Sequence, residues 1–145
     1  MLAGGGEDGI VHVWDTASLQ LRLTLEAHGG GALSCALSRD GGRLATSGGD
    51  GRVRLWSLDS GEPIATWSEH LGGVWAVDIS RDGQWIVSGG LDGTVRVWNA
   101  ARAASVHALR PDRPYERMDI TGLTGVTDAQ RTALVSLGAV ERTDH

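Results

Sequence analysis

The chain of 145 residues contains no lysine and no phenylalanine, and it has one cysteine, one asparagine and three prolines. The single cysteine, Cys35, forms no internal disulfide and cannot build a cysteine-based metal site alone. No apolar run approaches the roughly 20 residues that cross a bilayer. The residues after Met1 show neither the basic nor the apolar region of a signal peptide. These absences predict a cytoplasmic protein that does not span a membrane.

The charge balance is acidic, and all of the positive charge comes from arginine. The chain has thirteen arginines and 18 acidic residues, which gives a net charge of −5. Nucleic acids and anionic membranes both select cationic surfaces, so we expect neither as a partner. Arginine without lysine is typical of GC-rich coding DNA and suggests a bacterial source. With 22 glycines, the composition favours short strands joined by glycine turns over a helical bundle.

An internal repeat of 42 residues organises the sequence. Tryptophan recurs at this interval (Trp14, Trp56, Trp98), and so does an Asp-Gly pair (residues 8–9, 50–51 and 92–93). Residues 28–69 align with 70–111 without gaps at thirteen identical positions. The chain is therefore built from copies of one supersecondary unit.

Each unit has the pattern of short strands separated by tight turns. Residues 52–56 and 94–98 alternate with a period of two and carry β-branched side chains. The Asp-Gly pairs fall between such runs, where a hairpin needs the positive φ that glycine allows. Four strands fit into one unit, which is the size of a propeller blade.

The units resemble the blades of WD-repeat proteins over residues 2 to 110. The histidine that precedes the first strand in this family matches His28 and His70, and the closing Trp-Asp pair is present at Trp14-Asp15. The resemblance implies an all-β fold, a partial β-propeller of four-stranded antiparallel blades with a short C-terminal helix. About two and three-quarter blades are expected: a partial blade at 1–27 and blades at 28–69 and 70–111.

The resemblance also implies a hydrogen-bonded set of four side chains, a tetrad, in each complete blade. Carried over residue by residue, the tetrads are His28, Thr46, Asp50 and Trp56, and His70, Ser88, Asp92 and Trp98. His70, Ser88 and Asp92 are also the residue types of a hydrolase triad. The same types recur in the preceding unit, and no enzyme needs one active site per blade. We therefore expect a structural network and no catalytic residue.

Two other patterns resemble a dinucleotide site and a metal ligand, but their surroundings in the sequence do not fit either. Residues 4–9 fit a G-x-G-x-x-G string, but a strand follows them where a dinucleotide site needs a helix. His107 has no second metal ligand nearby in the sequence. We expect no bound cofactor and no metal.

Four apolar residues occupy positions that line the partner-binding rim in the resembling family. Trp75 and Leu91 match the start of the innermost strand and the position before the turn aspartate. Leu33 matches Trp75 one blade earlier, and Leu71 lies close by in the sequence. An exposed aromatic residue is a usual centre of binding energy. The alternative, that Trp75 only packs between neighbouring blades, carries equal weight.

The blade count leaves three alternatives open. Closed propellers need about four to eight blades, and each blade buries its faces only against neighbours. The chain is then the C-terminal piece of a longer protein, or one subunit of a ring of copies, or an open stack. Its partners accordingly include other copies of the chain or upstream domains of the same polypeptide.

The C-terminal segment 112–145 has a different character. Thr127 and Gln130 have the spacing of a capping box, and Gly138 suits a helix end, which predicts a helix over about 128–137. We expect this segment to cap the last blade. Residues 113–141 also resemble a terminal module that follows repeats in large bacterial proteins, some of which carry a signal-transducing NTPase domain.

Together these observations predict a protein without catalytic activity that scaffolds or senses protein or peptide partners. The fragment interpretation makes it the C-terminal part of a larger bacterial WD-repeat signalling protein. A ring-forming subunit is one alternative, and an enzyme with a site in the propeller mouth is another.

Overall fold

The computed structural model describes residues 1–102, 104–112 and 118–142. It divides into two compact units, Met1–Arg110 and Pro111–His145. Parts of the predicted C-terminal segment, residues 113–117 and 143–145, lie outside the described residues. The strands of the first unit are β1 (Leu2–Gly5), β2 (Ile10–Trp14), β3 (Leu21–Glu26), β4 (Ala32–Leu37), β5 (Arg43–Gly48), β6 (Val53–Ser57), β7 (Pro63–Trp67), β8 (Val74–Ile79), β9 (Trp85–Gly90), β10 (Val95–Asn99) and β11 (Ser105–Leu109).

The strands form three antiparallel sheets that follow chain order. Blade 1 has the order β1-β2-β3, blade 2 the order β4-β5-β6-β7, and blade 3 the order β8-β9-β10-β11. Adjacent blades pack together, since β1 lies against β4, and β8 lies against β4 and β5. The prediction of a largely β, partial propeller is confirmed.

Two apolar clusters hold the three blades together. Val11 and Val13 of blade 1 pack with Leu44 and Trp56 of blade 2. A second cluster joins blade 2 to blade 3 through residues such as Leu55 and Trp98. The period of two explains both clusters, because alternate residues of each strand point to one face of its sheet.

The Asp-Gly pairs form the turns between the second and third strands of each repeat unit. Gly9, Gly51 and Gly93 have φ values of +78°, +74° and +69°. At each turn the preceding aspartate accepts a hydrogen bond from the N–H two residues later, over 3.0 to 3.1 Å. This local bond pre-forms the turn, and glycine supplies the left-handed conformation.

The second unit contains one helix, α1 (Asp128–Ser136). Thr127 caps it: the Gln130 N–H donates to the Thr127 hydroxyl, and the Thr127 N–H donates to the Gln130 side chain. Gly138 follows the helix end with φ of +109°. Asp119 and Val140 form a parallel bridge beside it. None of the nine residues of α1 is buried, and the capping role of this segment stays a prediction.

Candidate functional site

The tetrad residues of blade 2 come together as one hydrogen-bond chain. The Trp56 indole N–H donates to the Thr46 hydroxyl over 2.9 Å, and that hydroxyl lies 2.9 Å from His28 Nε2. His28 Nδ1 lies 2.9 Å from Asp50 Oδ1. Since the ionised carboxylate can only accept, Nδ1 carries the proton, and Nε2 of the neutral ring accepts from the Thr46 hydroxyl. Strands β5 and β6, the turn between them and the turn before β4 supply these side chains.

Blade 3 repeats the arrangement with its own residues. The Trp98 indole N–H donates to Ser88 Oγ over 2.8 Å, and Ser88 Oγ lies 2.8 Å from His70 Nε2. His70 Nδ1 lies 3.1 Å from Asp92 Oδ1. Ser88 is 2% exposed and His70 is 6% exposed. The hydroxyl accepts from the indole and is buried, so a substrate has no access to it as a nucleophile.

Blade 1 has no such network among its described residues. Gly4 stands at the hydroxyl position, opposite His12 in the register of β1 and β2. Trp14 and Asp8 keep the remaining two positions, as the sequence indicated. The indole of Trp14 stacks at an angle on the His12 ring, with ring centroids 5.6 Å apart.

Charged partners of the two networks differ, and sequence reasoning missed them. Arg54 donates to Asp50 Oδ2 over 2.9 Å and lies 2.8 Å from His28 Nδ1. Arg96, its repeat equivalent, donates instead to Glu69 over 2.7 Å. Blade 2 has alanine at the position of Glu69, so Arg54 has no such partner there. The Ala27/Glu69 difference in the repeat alignment was the available signal.

Glu69 ties the start of the last strand to the histidine turn of blade 3. The backbone N–H of Ser105 donates to Glu69 over 2.8 Å, and the Ser105 hydroxyl donates over 2.5 Å. Burial alone would raise the pKa of Glu69, but the two bonds from Ser105 and the charge of Arg96 lower it. The carboxylate therefore stays ionised and fixes β11 to the network.

The acidic members of the networks are held ionised by their donors. Burial alone would raise the pKa of the Asp92 carboxyl, but bonds from the Thr94 hydroxyl and from the Leu71 and Thr94 N–H groups hold it well below its usual range. Burial would likewise raise the pKa of Asp50, and donation from Arg54 lowers it overall. For His28 burial dominates and lowers the pKa, so the ring is neutral at pH 7.

The lowered pKa of His28 gives the protein a pH-dependent stability. The unfolded chain binds a proton at this side chain near pH 6.5, whereas the folded chain resists it. The stabilisation is complete above about pH 6.5 and declines as the pH falls below that value. We expect the urea concentration at the midpoint of unfolding to be lower at pH 5.5 than at pH 7.5. His28→Gln should be less stable at pH 7.5 yet show a shallower decline. An equal decline in both proteins would contradict this assignment.

The predicted rim residues are exposed at one end of the blades. Leu33 and Trp75 interrupt the pairing registers of β4 with β5 and of β8 with β9, where each is the extra residue of a β-bulge. A bulge breaks the alternation of side chains and redirects the extra one. Trp75 is 59% exposed and Leu33 is 40% exposed, so more than half of the Trp75 surface is open to solvent.

The exposed leucines Leu33, Leu71 and Leu91 lie around the Gly72–Gly73 turn. A methyl group added at Gly72 would meet Leu91 Cδ2 at 3.5 Å, and one added at Gly73 would meet Leu33 Cδ1 at 3.8 Å. Leu71 and Leu91 are 77% and 66% exposed. Beside Leu33 lies a groove of about 500 Å³ whose walls are mostly glycine, with Glu7 as its charged residue. We call Leu33, Leu71, Trp75 and Leu91 the apolar rim.

The described part of the chain offers no group of three or more histidine, cysteine or acidic residues that could hold a metal ion. Across the same residues, no helix has the length and apolar character that crossing a membrane requires.

Two four-stranded antiparallel sheets, each with a His-hydroxyl-Asp-Trp network, and a third sheet of three strands define a repeat protein of propeller type. A family model described as "WD domain, G-beta repeat" matches residues 19–57 and 61–99, which together are more than half of the chain. The chain therefore belongs to the WD-repeat family. Membership indicates, at the general level, a scaffold for protein–protein interactions. The search of curated proteins finds no match.

Proposed function

We propose that this protein is a rigid, non-catalytic platform that captures an apolar segment of a partner protein on its apolar rim. The observation that carries the proposal is the exposure of Trp75, at 59%, on a bulge of the innermost strand of blade 3. Trp75 shares this rim with exposed leucines. Large aromatic residues surrounded by such side chains supply most of the binding energy in protein interfaces.

The shape and charge of the rim favour an apolar peptide as the partner. The rim residues are uncharged, and the adjoining groove beside Leu33 has glycine walls that let a partner backbone approach closely. A peptide with a large apolar side chain could place it between Leu33 and Leu91, above the Gly72–Gly73 turn. Apolar area removed from water at such a contact contributes roughly 25 cal/mol per Å².

The absence of catalysis is part of the proposal. The residues that imitate a triad are buried and bonded to tryptophan, which favours a structural role for them. The tetrads then hold the blades in shape, so that the rim presents its side chains in fixed positions.

The sequence supports a proposal for the type of protein and the compartment in which this platform acts. Arginine without lysine and the C-terminal resemblance both favour a bacterial signalling protein. A lone cysteine suits a reducing compartment, which favours the cytoplasm.

Replacing Trp75 with alanine tests the platform. We expect peptides selected by display on the native chain to bind the Trp75→Ala variant at least about thirty-fold more weakly, as for a hot-spot residue of 2 kcal/mol. The thermal midpoint should stay close to that of the native chain because the indole is largely exposed. Titration calorimetry measures the affinity.

Trp85→Ala is the matched control for this experiment. Trp85 belongs to the same blade and is 42% exposed, but it lies outside the rim. Its replacement should leave peptide affinity unchanged. Equal affinity of the native chain and Trp75→Ala would contradict the rim as the binding site, as would a loss of binding in Trp85→Ala alone.

A further inference from the structure

Each blade has two faces, and the interfaces inside the chain show how they meet. We call the face toward the next blade in chain order the leading face, and the opposite one the trailing face. Val11 and Val13 on the leading face of blade 1 pack against Leu44 and Trp56 on the trailing face of blade 2. Blades 2 and 3 meet in the same register, with Val53 and Leu55 in the cluster that contains Ile86 and Trp98.

The leading face of blade 3 carries the same kind of apolar side chains, but they are exposed. Val11 and Val53 are 0% and 1% exposed, whereas Val95 at the same repeat position is 42% exposed. Leu25 and Trp67 are 4% and 2% exposed, whereas their equivalent Leu109 is 59% exposed. Trp85 and Val87 extend this exposed surface along β9. The face is a blade interface without its neighbour.

The trailing face of blade 1 carries the matching anchors. Leu2 pairs with Trp14 across β1 and β2, as Leu44 pairs with Trp56 and Ile86 with Trp98. Ile86 is fully buried and Trp56 is 6% exposed, whereas Leu2 is 59% exposed. Leu2 and Trp14 therefore occupy the two positions that contact a leading face in both internal interfaces.

Leu19 adds a second anchor on the same side of blade 1. It has φ of +57° and is 82% exposed, although blade 2 has Gly61, with φ of +75°, at the equivalent position. A leucine in this conformation is strained and gains nothing from packing within the described chain. A Cβ at Gly61 would meet Leu23 of the preceding blade at 3.5 Å. In the same register, Leu19 would reach His107 of a preceding blade 3.

From these observations we infer that two copies of this chain associate head to tail. The leading face of blade 3 in each copy receives Leu2, Trp14 and Leu19 on the trailing face of blade 1 in the other. Such an interface is heterologous, and two copies close it into a ring when the rotation permits. Two copies supply six sheets, four of them four-stranded and two of them three-stranded, and closed propellers have about four to eight blades.

The solution mass of the full chain tests the association. We expect light scattering after size exclusion, at about 1 to 100 μM, to give twice the 15.3 kDa of one chain. Val95→Asp should weaken association at least tenfold by placing a charge on the leading face. Leu71→Asp, a charge on the exposed rim, should leave the mass unchanged. A monomer across this concentration range would overturn the inference.

Leu19→Gly separates association from folding. Glycine relieves the positive φ, so the variant should unfold at the same temperature as the native chain or higher when both are monomeric, while its association weakens. Chains with Leu19→Asp and chains with Val95→Asp should each be monomeric, yet a mixture should form a heterodimer through one intact interface. If Leu19→Asp alone still dimerises fully, the contact is between two leading faces and the head-to-tail arrangement is wrong.

Discussion

Replacing Trp98 with alanine is expected to lower the free energy of unfolding by about 3 to 5 kcal/mol. The indole is fully buried, and its ring centroid lies 5.4 Å from that of Trp67. Its removal leaves a cavity between blades 2 and 3 and takes a donor from the buried hydroxyl of Ser88. Small domains are stable by only about 5 to 15 kcal/mol, so much of the native population would be lost. Urea denaturation followed by circular dichroism measures the change.

Two further variants separate packing from hydrogen bonding at this position. Trp98→Phe retains most of the ring contact and loses the N–H, so we expect a smaller loss of about 1 to 3 kcal/mol. Trp75→Ala removes the same side chain from an exposed position in the same blade and should change stability by about 0.5 kcal/mol. If Trp98→Ala were no more destabilising than Trp75→Ala, the network would not be holding the blade together.

Replacing Gly9 with alanine should be at least as disruptive, with an expected loss of about 4 kcal/mol or more. The added Cβ would overlap the carbonyl oxygen of His28, and φ at this position is +78°. The Gly9 carbonyl also accepts the N–H groups of Ala27 and His28, over 3.0 and 2.9 Å. Relief of the overlap would pull blade 1 away from the histidine turn of blade 2. Thermal unfolding measures the loss.

The repeat provides a graded control for this substitution. Gly51 has φ of +74°, and a Cβ there would meet the Gly72 carbonyl oxygen at 3.0 Å. Gly93 has φ of +69°, and no atom lies within 4 Å of its Cβ position. Since Gly93→Ala adds only the strain of a positive φ, we expect about 1 to 2 kcal/mol. The melting temperature should be lowered most by Gly9→Ala, less by Gly51→Ala and least by Gly93→Ala. Equal losses in the three variants would show that only the backbone conformation matters.

These substitutions also bear on the proposed function, because the rim depends on the same framework. Trp75 and Leu33 face outward since each is the extra residue of a bulge on an inner strand. The turns joined to those strands contain the tetrad histidines. A variant that loosens a tetrad should therefore weaken peptide capture together with stability, whereas Trp75→Ala should weaken capture alone.

Much of the fold followed from the sequence because its signals are local and repeated. The alternation of residues 94–98 specifies a strand whose apolar side chains share one face. Asp92 and Gly93 specify the turn before it, since the aspartate bonds two residues on and the glycine takes the positive φ. The recurrence of these signals every 42 residues predicted the size of the unit, and the resemblance to WD-repeat blades implied the members of each tetrad. The family match then established the WD-repeat class.

Tertiary structure alone decided which side chains of a repeated position are covered. Val53 and Val95 are identical in sequence register, yet one is buried by blade 3 and the other is exposed. It also decided the partners of Arg54 and Arg96, which turn to Asp50 and Glu69. Burial and ion pairing depend on atoms supplied by a neighbouring sheet or a distant turn. A periodic pattern specifies the face of a strand, and the packed neighbours determine what that face meets.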